Sequence, residues 1–308
     1  MLRIGTRGSQ LALTQSGFIQ KRIEECWPGV EVELAVIKTT GDKIQDVPLA
    51  KVGGKGLFVK EIEEALLARE VDLAVHSMKD VPAVLPGGLI IGVVPAREDP
   101  RDVLVTHKGR GLTELPPAAR VGSSSLRRAA QIRAHRPDIL VENLRGNLDT
   151  RLRKLEDGMY DAIVLAAAGL HRMAWHDRIT AYLEVEDFVP AVGQGALGLE
   201  FREDDQDVRE LLAPLHDQGT SIAVQAERSF LETLEGGCQV PIGGHARIVG
   251  ERLELTGLVA SVDGSKLFRI TRTAPGHEAV RLGIQVAGEL LEAGARSILD
   301  EVYRGLGC

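Results

Sequence analysis

The sequence predicts an α/β protein of two similar units, closed by a small α+β domain. Three observations carry this. Through the first two hundred residues, short apolar segments alternate with stretches of helical periodicity, the β–α–β order of layered α/β folds. Segments such as Ala162 to Ala166 are apolar throughout, as in parallel sheets covered on both faces. After His245 the pattern changes to two alternating segments around Asp263-Gly264, a hairpin signal.

Taken in order, Leu2 to Thr6 is a strand, and Ser9 caps a helix that stops at Trp27-Pro28. Leu11, Phe18, Ile19, Ile23 and Cys26 fall on its apolar face. Val30, Val32, Leu34 and Val36 alternate as a second strand. A long loop, Thr39 to Leu57, carries K-V-G-G-K-G at Lys51 to Gly56; loops of this length in compact domains often act as lids. Phe58 to Arg69 is a helix with Ile62, Ala65, Leu66 and Leu67 inward, and Val71 to His76 is a strand running into S-M-K-D-V-P. A second unit begins near Arg101. Val121 leads into G-S-S-S-L-R-R, where amides and hydroxyls at a helix start form an anion site. Leu140 to Asn143 and Ala162 to Ala166 are strands around an Asn147 to Gly158 helix. Ser221 caps a helix to Thr233, strands run from Leu253 to Val262 and Lys266 to Thr273, and a long helix starts near His277.

At 308 residues the chain has room for two or three domains. The opening Met1-Leu-Arg-Ile-Gly has no apolar leader, and the longest apolar run, Ala162 to Leu170, is too short for a bilayer. A cytoplasmic protein is expected, without membrane contact. Net charge is −7, which argues against general nucleic-acid affinity. Arg120 to Lys154 nevertheless holds nine Lys or Arg against three acids and lacks aromatic residues for base stacking. That window is either a solvated face or a surface for a small polyanion.

Two glycine patterns are set aside. Gly193-Gln-Gly195-Ala-Leu-Gly198 fits a dinucleotide fingerprint but leads into a strand. Gly53-Gly54-Lys55-Gly56 lacks the hydroxyl residue of a P-loop. The cysteines, Cys26, Cys238 and Cys308, form no disulfide framework, and no metal-ligand spacing appears, so no metal is expected. Cys238 stands apart, in L-E-G-G-C-Q-V-P-I-G-G at Leu234 to Gly244. A cysteine is ordinarily a small core residue. Four flanking glycines favour instead a thiol on a tight turn that a bulky group approaches.

Seven motifs occur together: Arg7-Gly-Ser9, K-V-G-G-K-G-L-F at Lys51 to Phe58, H-S-M-K-D-V-P at His76 to Pro82, S-S-L-R-R at Ser124 to Arg128, L-R-G-N at Leu144 to Asn147, P-A-V-G-Q-G at Pro190 to Gly195, and E-G-G-C-Q-V-P-I-G. In this set and order the whole chain closely resembles the porphobilinogen deaminase family, in its bacterial form. A mild departure is Ser123, where threonine is common. The resemblance implies a transferase of tetrapyrrole (haem, porphyrin) biosynthesis that condenses four porphobilinogen molecules head to tail, with loss of ammonia, into hydroxymethylbilane. It implies a dipyrromethane cofactor held by a thioether at Cys238. The implied fold has two lobes like a type II periplasmic binding protein with a cleft between them: 1–95 with 196–214, and 100–190. A third domain spans 218–308, and the protein is expected to be a monomer.

The same resemblance suggests roles. Asp80 is the catalytic carboxylate and, with Ser9, Lys79, Ser125, Arg127, Arg128 and Arg145, meets the cofactor. Arg7, Ser9, Lys51, Lys55, Phe58, Arg145, Arg151, Arg172 and Gln194 meet substrate, and Ser124 adds a hydroxyl. The chemistry agrees: a carboxylate facing a pyrrole N–H stabilises the azafulvenium cation left when ammonia departs. Arginine forks grip the acetate and propionate groups, and Phe58 suits stacking on a pyrrole. Arg133, Arg136 and Arg153 are left to solvent. Rival readings are a non-catalytic two-lobed anion binder and a nucleic-acid-binding regulator; neither needs Cys238 or Asp80.

Overall fold

A computed structural model describes residues 1–43, 59–82, 84–107, 109–235 and 240–306. The first lobe begins with β1 (Leu2–Thr6), α1 (Gln10–Cys26), β2 (Val32–Val36) and the short α2 (Thr40–Lys43). It continues through α3 (Lys60–Leu67), β3 (Leu73–Ser77) and β4 (Leu89–Val93). Ser9 caps α1 as expected: its backbone is extended and its Oγ accepts from Ala12 N at 3.3 Å. β1 pairs in parallel with β2 and β3, setting Leu2 beside Val32 and Ile4 beside Leu73. One strand of this sheet comes from far down the chain. β10 (Leu197–Arg202) lies between β3 and β4 and is antiparallel to both, giving the order β2-β1-β3-β10-β4.

The second lobe repeats the plan with β5 (Asp102–Thr106), β6 (Arg120–Gly122), α4 (Leu126–His135), β7 (Leu140–Glu142), α5 (Leu148–Glu156), β8 (Ala162–Ala166), α6 (Ala167–Arg172) and β9 (Ala181–Leu183). Its order is β7-β6-β8-β5-β9, with β5 antiparallel to both neighbours. Each lobe thus has the strand order of a type II periplasmic binding protein. Each takes its antiparallel strand from chain arriving out of the other lobe. The purely parallel sheets expected from continuous apolar runs are therefore mixed. An apolar run shows that both faces are covered and not which way its neighbours run: β8 is apolar throughout yet pairs antiparallel with β5.

After α7 (Gln206–Leu212), which adds Val208 and Leu212 to the first lobe's core, comes α8 (Gln218–Thr233). Asp217, not Ser221, caps α8, accepting from Thr220 N at 2.7 Å; Ser221 lies buried within the first helical turn. The third sheet is a meander of β11 (Ile242–Val249), β12 (Arg252–Ala260) and β13 (Leu267–Pro275), all antiparallel. α8 and α9 (Ala279–Leu290) share its core through Phe230, Leu255 and Val286. The single closing helix expected from His277 is broken at Gly294, where φ is +114°, before α10 (Arg296–Leu306). Two inward assignments also fail: Phe18 and Leu67 are exposed, because neighbouring residues of each helix already fill the contact. Cys26, expected in the core, is half-buried. Among the described residues, no helix is long and apolar enough to cross a membrane.

Candidate functional site

The site starts at the carboxyl end of β3, the edge where α/β sheets commonly bind ligands. His76 is buried and bonded to Glu200 of β10 at 2.8 Å. A single 3-10 turn, Met78 to Asp80, then reverses the chain, closed by Val81 N on Met78 O at 3.2 Å. Met78 plugs the core, Lys79 is half-buried and Asp80 is exposed. Arg228 of α8 grips the segment that follows, with Nη2 on Pro82 O at 2.7 Å. α8 thereby steadies the turn that carries Asp80.

Across from it, the second lobe presents the start of α4. Ser125 caps this helix, its Oγ accepting from Arg128 N at 3.4 Å. Ser124 Oγ bonds Leu144 O, which ties the loop to the Leu144–Asn147 turn. In that turn Arg145 has a buried Nε without a hydrogen-bond partner among the described residues. Arg151 Nε donates to Gly146 O at 2.7 Å.

The electrostatics of these groups are unusual for surface cations. Burial pushes Lys79 down to about 8, Arg128 and Arg127 act in the same sense, and Asp80 and Asp102 oppose it. Burial lowers Arg151 to about 10, helped by Arg128 and Arg145 and opposed by Asp80. Arg145 is lowered by burial alone. Lys79, Asp80, Arg127, Arg128, Arg145 and Arg151 thus share one electrostatic neighbourhood drawn from both lobes. Of its cations Arg145 and Arg151 are desolvated without a carboxylate bonded to them among the described residues, the condition in which an arriving carboxylate is held strongly.

Other expected residues lie elsewhere. Arg172 ends α6 and donates from Nη2 to Gly195 O at 2.7 Å; burial lowers it to about 10, against Glu98. Arg7 and Ser9 are half-buried between β1 and α1, and α1 touches the second lobe where Thr14 Oγ1 sits 3.5 Å from Met173 Sδ. Gln194, expected on substrate, is 1% exposed; its amide nitrogen serves Pro100 O at 2.7 Å and Asp102 at 2.9 Å. Arg127 is similarly sunk, with Nη1 shared between Asp102 and Val189 O, each at 2.7 Å. Arg133 and Arg136 are not left to solvent. Arg133 Nη1 donates to Val262 O of the third sheet's hairpin at 2.7 Å, and Arg136 braces Asp138 and Leu115 O. Lys51, Lys55, Phe58 and Cys238 lie outside the described residues.

The two segments that join the lobes run side by side behind this cluster. Glu98 N donates to Gly195 O at 3.1 Å, and Arg97 Nε to Gln194 O at 2.8 Å. Gly193 and Gly195 adopt φ of +72° and +88°, and a Cβ on Gly195 would meet Glu98 O at 2.3 Å. The G-x-G-x-x-G pattern therefore serves a close backbone crossing. Glu227 of α8, fully buried, holds Arg97 through contacts of 2.6 and 3.1 Å, and accepts from Gly193 N at 2.6 Å and Ala246 N at 2.7 Å. Sequence reasoning missed Asp102, Arg97, Glu227 and Arg228. They stand beside other charged residues, as in Arg97-Glu98-Asp99, Arg101-Asp102 and Glu227-Arg228, so nothing in the sequence tells a buried partner from a surface one.

Comparison with known proteins adds the following. Residues 2–210 match the family model described as porphobilinogen deaminase, dipyromethane cofactor binding domain, and residues 221–292 match porphobilinogen deaminase, C-terminal domain. The chain is 66% identical over 304 residues to the porphobilinogen deaminase of Syntrophobacter fumaroxidans, covering 99% of this chain and 98% of that protein. It is 57% identical over 298 residues to that of Syntrophotalea carbinolica, covering 97% and 95%. With that of Brevibacillus brevis it shares 55% identity over 304 residues, covering 98% and 97%.

Proposed function

Since the chain belongs to the porphobilinogen deaminase family, we propose that the cluster between its lobes is where four porphobilinogen molecules are joined, with Asp80 as the catalytic carboxylate. The reaction condenses them head to tail, releases ammonia at each step and yields hydroxymethylbilane. A passive anion trap is not favoured. The observation that carries the reading is the set of desolvated cations, Lys79, Arg145 and Arg151, gathered around an exposed carboxylate.

The family's cofactor is a dipyrromethane, and the residues present fit it. The buried Arg145 Nε, without a partner among the described residues, and the desolvated Arg151 suit a compact, multiply anionic group. Cys238 would hold it by a thioether, with Ser9, Lys79, Asp80, Ser125, Arg128 and Arg145 around it. When bound it supplies the pyrrole carbon to which the first substrate is joined.

The chain's own residues then do three things. Arg7, Arg145, Arg151 and Arg172 orient substrate acetates and propionates, with Ser124 adding a hydroxyl. Asp80 faces the pyrrole N–H of the arriving unit, stabilises the positive charge left by departing ammonia and moves the ring proton afterwards. Lys51, Lys55 and Phe58 are assigned to substrate by the family motif alone. Gln194 and Arg127 support it from beneath, since their polar atoms face the protein. The same reading has 1–95 with 196–214, 100–190 and 218–308 as domains of a monomeric cytoplasmic enzyme.

Intact mass spectrometry tests the tether directly. The purified protein should exceed its sequence mass by one dipyrromethane, Cys238→Ser should lose both adduct and turnover, and Cys26→Ser should keep both. An unmodified wild type with full activity would sink the assignment.

A further inference from the structure

Arg127 and Arg128 open α4 toward the cleft, yet both turn to one carboxylate behind them. Asp102, the first residue of β5, is 0% exposed. It accepts from Arg127 Nη1 at 2.7 Å, from Arg128 Nη2 at 2.7 Å and Nε at 3.0 Å, and from Gln194 Nε2 at 2.9 Å. Both oxygens are engaged. Gln194 comes from the second segment joining the lobes and is itself fastened to Pro100 of the first. Arg128 Nη1 is held by Val164 O at 3.1 Å, which leaves its guanidinium little freedom to turn.

We propose that Asp102 is a positioning residue for the anion site, fixing Arg128 in place before any ligand carboxylate arrives, with Gln194 belonging to this brace and not to the substrate contacts. The inference rests on Arg128 meeting those carboxylates. Charge explains why one acid is shared by two arginines. Two adjacent buried guanidiniums without a counter-ion would repel and be costly to bury; two counter-ions would leave nothing for the ligand. One carboxylate leaves a net positive charge on a side chain already oriented, so binding loses little rotational freedom. Because β5 and Gln194 belong to the two joining segments, the arginine pair is referenced to the junction of the lobes. Burial alone would raise the Asp102 carboxyl, but Arg127 and Arg128 overcome this and hold it well below the usual carboxylate range, so the brace stays charged at working pH.

Asp102→Asn keeps the size but puts an amide donor against a guanidinium. The test compares wild type, Asp102→Asn, Asp102→Glu, Gln194→Met and Arg128→Gln by melting temperature, cofactor occupancy from intact mass, and separate KM and kcat for porphobilinogen. Asp102→Asn should lose occupancy several-fold. In its loaded fraction KM should rise by about tenfold or more while kcat changes less than about threefold, the split expected when binding common to ground and transition states is lost. Asp102→Glu, which keeps the charge, should recover most of the occupancy. If folded Asp102→Asn has normal occupancy and KM while Arg128→Gln loses both, the positioning role is wrong and the site reading stands. If Arg128→Gln is also normal, the reading on which it rests falls. If Asp102→Asn does not fold, unchanged occupancy and KM in Gln194→Met would overturn the proposal, and lowered occupancy with a raised KM there would sustain it.

Discussion

Lys79 should make capture of the cofactor by the apoprotein fail on the alkaline side. Its ammonium is pushed from 10.5 down to about 8, chiefly by burial. A ligand carboxylate beside it favours the charged form and raises that value again, so binding takes up a proton once the pH passes about 8. Below pH 8 capture should be level. Above it, each pH unit should weaken capture about tenfold, ~1.4 kcal/mol, until the value in the complex is reached. At pH 9.5 only about 3% of Lys79 in the apoprotein is charged on this basis, so its capture of the cofactor should fall roughly thirtyfold. Lys79→Arg stays charged throughout and should remove this fall, while the titration of any other group persists in both proteins. The fold should respond with opposite sign. An unfolded lysine holds its proton to higher pH than Lys79 does, so stability of the unliganded protein should rise between pH 8 and 10.5, by at most roughly 3 kcal/mol. The measurement is the fraction of apoprotein converted to holoprotein at a limiting supply of porphobilinogen, read by intact mass from pH 6.5 to 9.5 for both proteins. Superimposable profiles would refute the reasoning.

Asp80→Asn should fold and bind substrate but lose about 10²–10⁴ in steady-state rate; near-normal turnover would remove Asp80 from the chemistry. Glu63, raised to about 7 by burial and then by Glu200, favours the fold below pH 4.5 and loses that contribution as pH rises through 7. Glu63→Gln should therefore gain stability relative to wild type between pH 5 and 8.5, by up to about 3 kcal/mol in urea unfolding; a difference that ignores pH would contradict this. Arg172, at the joining segments and apart from the Lys79 cluster, should serve the later additions. Arg172→Ala should keep its cofactor and stall with partly built chains on a mass ladder at limiting substrate, whereas loss of the cofactor would show that the arginines act as one patch.

Local features of the fold were legible in the sequence because their causes are local. Ser9 caps the helix expected of it, a helix opens at the G-S-S-S-L-R-R segment as expected, and Asp263-Gly264 turns the hairpin between β12 and β13. Long-range partners were not legible. Apolar periodicity shows that a face is covered, and does not say by what, so the return of β10 into the first sheet came only through the family resemblance. The basic window is a clearer case. The nine cations between Arg120 and Lys154 suggested either a solvated face or a polyanion surface, but Arg127 and Arg128 answer to Asp102, Arg133 to Val262 and Arg136 to Asp138. What the sequence could not say was which of these charges were already answered. The Lys79–Asp80 pair was identifiable by motif, while the burial that depresses Lys79 needed the second lobe in place.

The path of β10 also bears on how the chain is made. β5 to β9 are contiguous, so the second lobe's sheet is complete once about residue 183 has left the ribosome. The first lobe cannot finish then, because β3 and β4 have a gap between them that only Leu197–Arg202 fills. About a hundred residues separate β4 from that strand. At ~5–20 residues per second, two strand edges wait roughly 5–20 s for their partner. The lobe that carries Asp80 is therefore the first to be synthesised and the later of the two to close, and during that interval its open edges are the part of the nascent chain most in need of protection from other strands.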